Sequence, residues 1–107
     1  MPYVFLAGAI LFEVIGTMVL PLSENFSKPL PSIVSIVAYV SSFYLLTFAL
    51  DSIHIAIVYA TWSGLGIFLI SILGYLIYGQ ALQWQSMLGL CFIVVGVMLV
   101  NSFATIK

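Results

Sequence analysis

The chain alternates long apolar runs with short polar breaks. Residues 22–31, LSENFSKPLP, gather Ser, Asn and Pro and read as a loop. A second break falls at Asp51, and a third near 79–85, where GQALQWQ collects Gly, Gln and Trp. Between Asp51 and Lys107 no formal charge interrupts the chain. That stretch is far longer than the roughly 20 residues of one membrane crossing, so it must fold back once. The runs predict helices at about 3–20, 30–50, 54–78 and 85–104, forming one four-helix transmembrane domain over residues 1–107. Short connections predict that consecutive helices pack antiparallel, with both termini on one side. Pro21 suits the end of the first helix, and Pro29 and Pro31 the start of the second, where missing amide donors cost least. Tyr3, Tyr78 and Trp84 fall near helix ends, where aromatic rings favour the membrane interface.

Composition turns this pattern into a class. The chain is 64% hydrophobic and only 5% charged, with a mean hydropathy of +1.33. A soluble domain carries about 25% charged residues to meet water. Two basic and three acidic side chains cannot solvate a globule of 107 residues, so the fold class is an all-α integral membrane protein. So few basic groups exclude nucleic acid as a partner. The N-terminal MPYVFLAG has no basic segment, which argues against a cleavable signal. Cys91 is the single cysteine and reads as a small packing residue.

Charge leaves orientation undetermined. Lys28 falls on one side of the membrane and Lys107 on the other, so the positive-inside rule is balanced. Two readings fit: a charge-poor protein whose first helix sets its orientation, or a chain that inserts both ways and pairs antiparallel. Four helices make a thin bundle with a cramped interior, which predicts at least a dimer.

One acid stands out. In ILFEVIGTMVL, residues 10–20, Glu13 has no neighbour in sequence that neutralises it. At 1.5 Å per residue it lies roughly 15 Å deep, near the midplane of a ~30 Å hydrocarbon core. An acid there costs about 2.5–3.5 kcal/mol on insertion scales and is functional by default. Desolvation favours a carboxyl's protonated form and a nearby cation its charged form, so such a group suits exchange of one for the other. At helical spacing Glu13 shares a face with Ala9, Gly16 and Thr17, and with Leu6 a turn further on. These small residues leave room for a ligand, or allow close helix packing.

The third helix carries YATWSGLG at 59–66, placing Tyr59, Trp62, Ser63 and Gly66 on one stripe. An indole face attracts organic cations, and a tyrosine hydroxyl can donate to a carboxylate; a packing stripe is the other reading. Gly64 and Gly66 would tolerate a bend or a close approach. On the second helix Tyr39, Phe43 and Leu46 fall at i, i+4 and i+7, the expected far wall of the same chamber. On the fourth, Gly89 and Gly96 share a face and read as a helix–helix seam.

Other chemistries find no support. His54 is the only histidine and has no ligand-spaced companions, which argues against a metal site. One edge histidine does not support a hydrolase triad, so no enzyme is expected. No GxxxxGK motif followed by Ser or Thr is present. Any transport must therefore draw on an ion gradient, without a cofactor.

With these residues in view, the whole chain resembles the small multidrug resistance family. AGAILFEVIGT resembles the family's first-helix signature around its membrane glutamate, IVYATWSGLGI its third-helix signature, and GLCFIVVGVMLVN its dimerising fourth helix. The resemblance implies an antiparallel, dual-topology dimer in the bacterial inner membrane that exchanges protons for cationic substrates. It implies Glu13 as the shared proton and substrate site, with Tyr59 and Trp62 lining it and Tyr39 and Ser63 in support. It places Gly64 and Gly66 at a bend in the third helix, and Gly89 and Gly96 at the dimer seam. Gly16-Thr17, and Ser63 after Trp62, are more similar to the branch handling quaternary ammonium and aromatic cations than to the guanidinium-exporting branch. The chain departs from the family pattern at Pro21, where many relatives have lysine, and at His54 and Ala56, where proline and glycine are common. Its third loop also lacks the usual basic residue.

The expected function is thus proton-coupled export of lipophilic cations by a homodimer, or by a heterodimer with a sister protein. Guanidinium or polyamine export is the near alternative. A non-transporting accessory subunit that uses its glycine seam for assembly is the distant one.

Overall fold

A computed structural model describes residues 2–103. Four helices run in chain order: α1 Pro2–Val19, α2 Pro29–Leu50, α3 Ile55–Tyr78 and α4 Trp84–Ser102. All four are long and apolar enough to cross a membrane, with mean hydropathies of 2.1, 2.0, 2.0 and 1.8. Apart from the end of α4, each bound lies within one residue of that expected from the apolar runs. The expected end of the fourth helix at 104, and Lys107, lie outside the described residues.

Local chemistry sets the ends. A 3-10 turn, Leu20–Ser23, carries Pro21 and closes α1. The buried Ser23 then ties the loop together. Its hydroxyl donates to the Leu20 carbonyl at 2.7 Å and accepts the Phe26 amide at 3.2 Å. Glu24, Asn25 and Phe26 all take left-handed backbone conformations, with φ of 48°, 62° and 65°. Such residues turn the chain sharply at a steric cost. Pro29 then opens α2 at its first turn. At the end of α3, Gly79 has φ 68°, so its amide and that of Gln80 turn back onto the Tyr75 and Gly74 carbonyls at 3.1 Å. Tyr78, expected as an interfacial anchor, donates its hydroxyl to the Met18 carbonyl and ties α3 to α1.

The helices do not pack in simple sequential order. The most extensive contact is α1 with α2, followed by α3 with α4 and α1 with α3, whereas α2 barely touches α3. Antiparallel packing of every consecutive pair was expected; here α1 is wedged between α2 and α3 and separates them. The α1–α2 contact is close because α2 turns Ser32, Ser35, Ala38, Ser42 and Ala49 inward. Ser35 donates to the Gly16 carbonyl at 3.0 Å and Ser42 to the Ala9 carbonyl at 2.7 Å. Small residues admit the backbone and hydroxyls then bind it, the usual means of helix association in lipid. Leu6, Ile10 and Val14 of α1 form the core with Ala49, Ile53 and Val58.

The result is a slab of 43 × 35 × 17 Å. At 17 Å it is less than two helix diameters thick. No residue of α4 is buried.

Candidate functional site

Because α1 separates α2 from α3, a cleft opens between those two helices with α1 as its floor. Its volume is about 600 Å3. Glu13 is the α1 residue in its lining; α2 supplies Tyr39, Phe43, Leu46 and Leu50, and α3 supplies Ile55, Ala56, Val58, Tyr59 and Trp62. Glu13 sits midway along the apolar span Pro2–Ser23. The walls are almost wholly apolar or aromatic. Phe43 and Trp62 present nearly parallel rings, 15° apart in tilt with centroids separated by 6.4 Å. That spacing is at the loose end of the ~4.5–7 Å range of paired rings.

The carboxylate is held from one side. Thr17 donates from Oγ1 to Glu13 Oε1 at 3.1 Å, and Thr17 Oγ1 lies 2.7 Å from the Tyr39 hydroxyl. Since Thr17's one hydrogen goes to Glu13, Tyr39 must donate to Thr17. A chain Tyr39–Thr17–Glu13 therefore fixes one oxygen. Gly16 makes it possible: a Cβ there would stand 3.2 Å from the Tyr39 ring and 3.3 Å from the Ser35 carbonyl oxygen. The other oxygen, Oε2, lies beside Gly66, whose added Cβ would be 3.8 Å away. Among the described residues the one ion pair joins Lys28 to Glu24 at 3.5 Å in the exposed loop, so no described cation pairs with Glu13.

The structure therefore brings together Glu13, Tyr39, Phe43, Tyr59 and Trp62, with Thr17 behind the acid. Two residues expected at the site are not brought to it. Ala9 is completely buried because α2 covers that turn of α1 and Ser42 docks on its carbonyl. Ser63 is exposed on α3 and is not part of the lining; one step of 100° past Trp62 takes it off the cleft-facing side. The helix α3 runs uninterrupted through Gly64 and Gly66, where a bend was expected. Gly64 admits α4: a Cβ there would collide with Val97 Cγ2 at 2.1 Å. Among the described residues nothing lies within 4 Å of a Cβ added at Gly89 or Gly96, so both face away from the other three helices.

Sequence reasoning missed Leu50, Ile55, Ala56 and Val58 in the walls. Ala56 stood out only as a departure from the family pattern; the others are apolar residues in apolar runs. A larger cleft, about 730 Å3, lies between the later part of α3 and the earlier part of α4. Its lining includes Tyr75, Gln80 and Cys91 but no acid, so it has no charge with which to hold a cation. Among the described residues no three His, Cys, Asp or Glu side chains cluster.

Four apolar spans around one half-buried acid define a small polytopic membrane protein with an intramembrane acidic site. Comparison with known proteins narrows this. Residues 1–93 match the family model described as Small Multidrug Resistance protein. The chain is 45% identical over 100 residues to the multidrug transporter EmrE of Escherichia coli, covering 94% of this chain and 91% of that one. It is 42% identical over 99 residues to the quaternary ammonium compound-resistance protein QacE of Escherichia coli, covering 92% and 90%. It is 38% identical over 105 residues to QacF of Klebsiella aerogenes, of the same description, covering 98% and 96%. The chain belongs to the small multidrug resistance family. It is a member of a transporter family and not an enzyme.

Proposed function

We propose that this protein is a proton-coupled antiporter that exports hydrophobic and quaternary ammonium cations across the bacterial inner membrane. One observation carries the reading. Glu13 is the acid in the membrane-spanning part, it lies at the floor of an aromatic cleft, and no cation among the described residues neutralises it. A lipophilic cation entering the cleft meets Trp62 and Phe43 as π faces, each contact contributing about 0.5–2 kcal/mol, and Glu13 as counter-charge. A proton on Glu13 removes that counter-charge. Proton and cation thus exclude one another, and their exchange couples opposite fluxes. The names of relatives with transport of multiple drugs, or resistance to quaternary ammonium compounds, support this substrate class.

A monomer only 17 Å thick leaves the cleft open on one side. Two chains in opposite orientations would face their Glu13 carboxyls into one chamber, with Gly89 and Gly96 at the seam. Opposed copies also make the inward-open and outward-open states near equivalents, so neither needs strong stabilisation. The test uses purified protein in vesicles. A pH gradient should drive accumulation of a quaternary ammonium dye, and adding tetraphenylphosphonium to detergent-solubilised protein should release protons. Glu13→Gln should abolish both while leaving helical content unchanged. Dye uptake by Glu13→Gln vesicles at the wild-type rate would remove the mechanism.

A further inference from the structure

The α3 helix has two working faces. Tyr59, Trp62 and Gly66 recur at three and four residues; Tyr59 and Trp62 line the cleft, and Gly66 lies beside Glu13 Oε2. Thr61 and Gly64, also three apart, look toward α4. Since each residue turns a helix by 100°, fixing the angular position of one face fixes the other. The α4-facing side is fixed by two contacts. Asn101 Nδ2 donates to Thr61 Oγ1 at 2.8 Å and to the Val97 carbonyl at 2.9 Å. One helical turn away, Gly64 presses on Val97, with Ile93 alongside.

The orientation of the Asn101 amide is not arbitrary. Turned over, its oxygen would stand against the Val97 carbonyl oxygen, acceptor against acceptor. In the orientation adopted, Asn101 Oδ1 is buried and has no hydrogen-bond partner. Leucine at 101 would fill the same contact without that orphaned oxygen, and buried polar atoms left unpaired are rare enough to need a reason. We infer that Thr61 and Asn101 are positioning residues. Their hydrogen bond, backed by the Gly64–Val97 contact, locks the roll of α3 against α4 and so aims Trp62 and Tyr59 into the cleft that Glu13 floors. The aromatic aim of the cation site is then set from α4, which has no residue in the cleft lining. The consequence for cation binding rests on the function proposed above; the consequence for Trp62 does not.

The chain has two tryptophans, Trp62 and Trp84, so a Trp84→Phe background makes Trp62 the sole indole fluorophore. In that background Thr61→Val, Thr61→Ser, Asn101→Leu and the Thr61→Val/Asn101→Leu pair are compared in detergent. Tetraphenylphosphonium affinity is read by Trp62 quenching, and Trp62 emission is also recorded without the cation. Thr61→Val should weaken binding about threefold, the size of an average interhelical hydrogen bond in a membrane. It should also shift Trp62 emission before any cation is added. The pair should lose no more than either single variant, and Thr61→Ser, which keeps the hydroxyl, should match the parent. Thr61→Val is isosteric and decides the matter where Asn101→Leu fails to fold. Unchanged affinity and unchanged emission in Thr61→Val would overturn the inference. A parent protein that binds no cation would sink the transporter reading instead, and the cation-free emission would still decide whether α4 aims Trp62.

Discussion

Substituting Gly64 by alanine probes the α3–α4 contact at its tightest point. The added methyl would sit 2.1 Å from Val97 Cγ2 and 3.3 Å from both Val97 Cβ and Ile93 Cγ2. Carbon atoms in contact prefer about 3.5–4.0 Å, so a gap of about 1.5 Å must open. Val97 cannot turn aside, because a β-branched side chain in a helix holds one rotamer about 90% of the time. The helix α4 must therefore move, and a shift of that size stretches the 2.8 Å bond from Asn101 to Thr61 past hydrogen-bonding range. Overpacking costs about 1–3 kcal/mol and the interhelical bond adds about 0.6 kcal/mol. Gly64→Ala should thus destabilise the protein by about 1.5–3.5 kcal/mol.

The assay is unfolding by a denaturing detergent in micelles, followed by circular dichroism. Gly64→Ala/Val97→Ala, which removes the colliding methyl groups, should recover most of the loss although Val97→Ala alone costs stability. Two results would refute the argument: Gly64→Ala within about 0.5 kcal/mol of wild type, the scatter of unremarkable substitutions, or a double variant no better than Gly64→Ala.

Gly89→Ala and Gly96→Ala provide the contrast. Neither methyl meets anything among the described residues, so unfolding of the monomer should be unchanged within about 0.5 kcal/mol, while cross-linking between copies should fall if this face is the seam. Loss of monomer stability would show that the seam assignment is wrong. Thr17→Val keeps the shape of the side chain but removes the donor to Glu13 and the acceptor for Tyr39. It should slow pH-driven dye uptake severalfold with the fold intact, and Thr17→Ser should restore the rate; equal rates in all three proteins would leave the Tyr39–Thr17–Glu13 chain without a function.

The spans were legible because lipid imposes a simple demand. A run of apolar residues interrupted by Pro, Gly and charge can do little but cross the membrane and turn. The depth of Glu13 followed from the same counting. The aromatic wall was legible too, since Tyr59 and Trp62 recur with helical spacing and Tyr39 and Phe43 do the same on α2. What spacing cannot supply is the identity of the neighbour. Ala9 is one turn from Glu13, yet α2 covers that turn. Gly64 and Gly66 are two apart in one motif, yet one meets Val97 and the other the carboxylate. Their pattern alone reads equally well as a bend or as two close approaches. The serines at 32, 35 and 42, with Ala38 and Ala49, were a visible signal of a small-residue face and would have placed α1 against α2. The pairing of Thr61 with Asn101 spans 40 residues and leaves no local trace.

The same reasoning limits what the exposed surface can say about a second copy. In water, a helix such as α4 with no buried residue and rows of exposed Leu, Val, Met and Phe would demand a partner. In lipid it does not, because acyl chains solvate those side chains as well as another helix would. The case for a second chain rests on features that lipid cannot satisfy. A carboxyl at mid-span gains nothing from hydrocarbon, and Thr17 meets only one of its two oxygens. A pair of outward-facing glycines offers acyl chains no side chain to pack against but lets another backbone approach closely. Both features follow from residues that a simple lipid-facing helix would have no reason to keep.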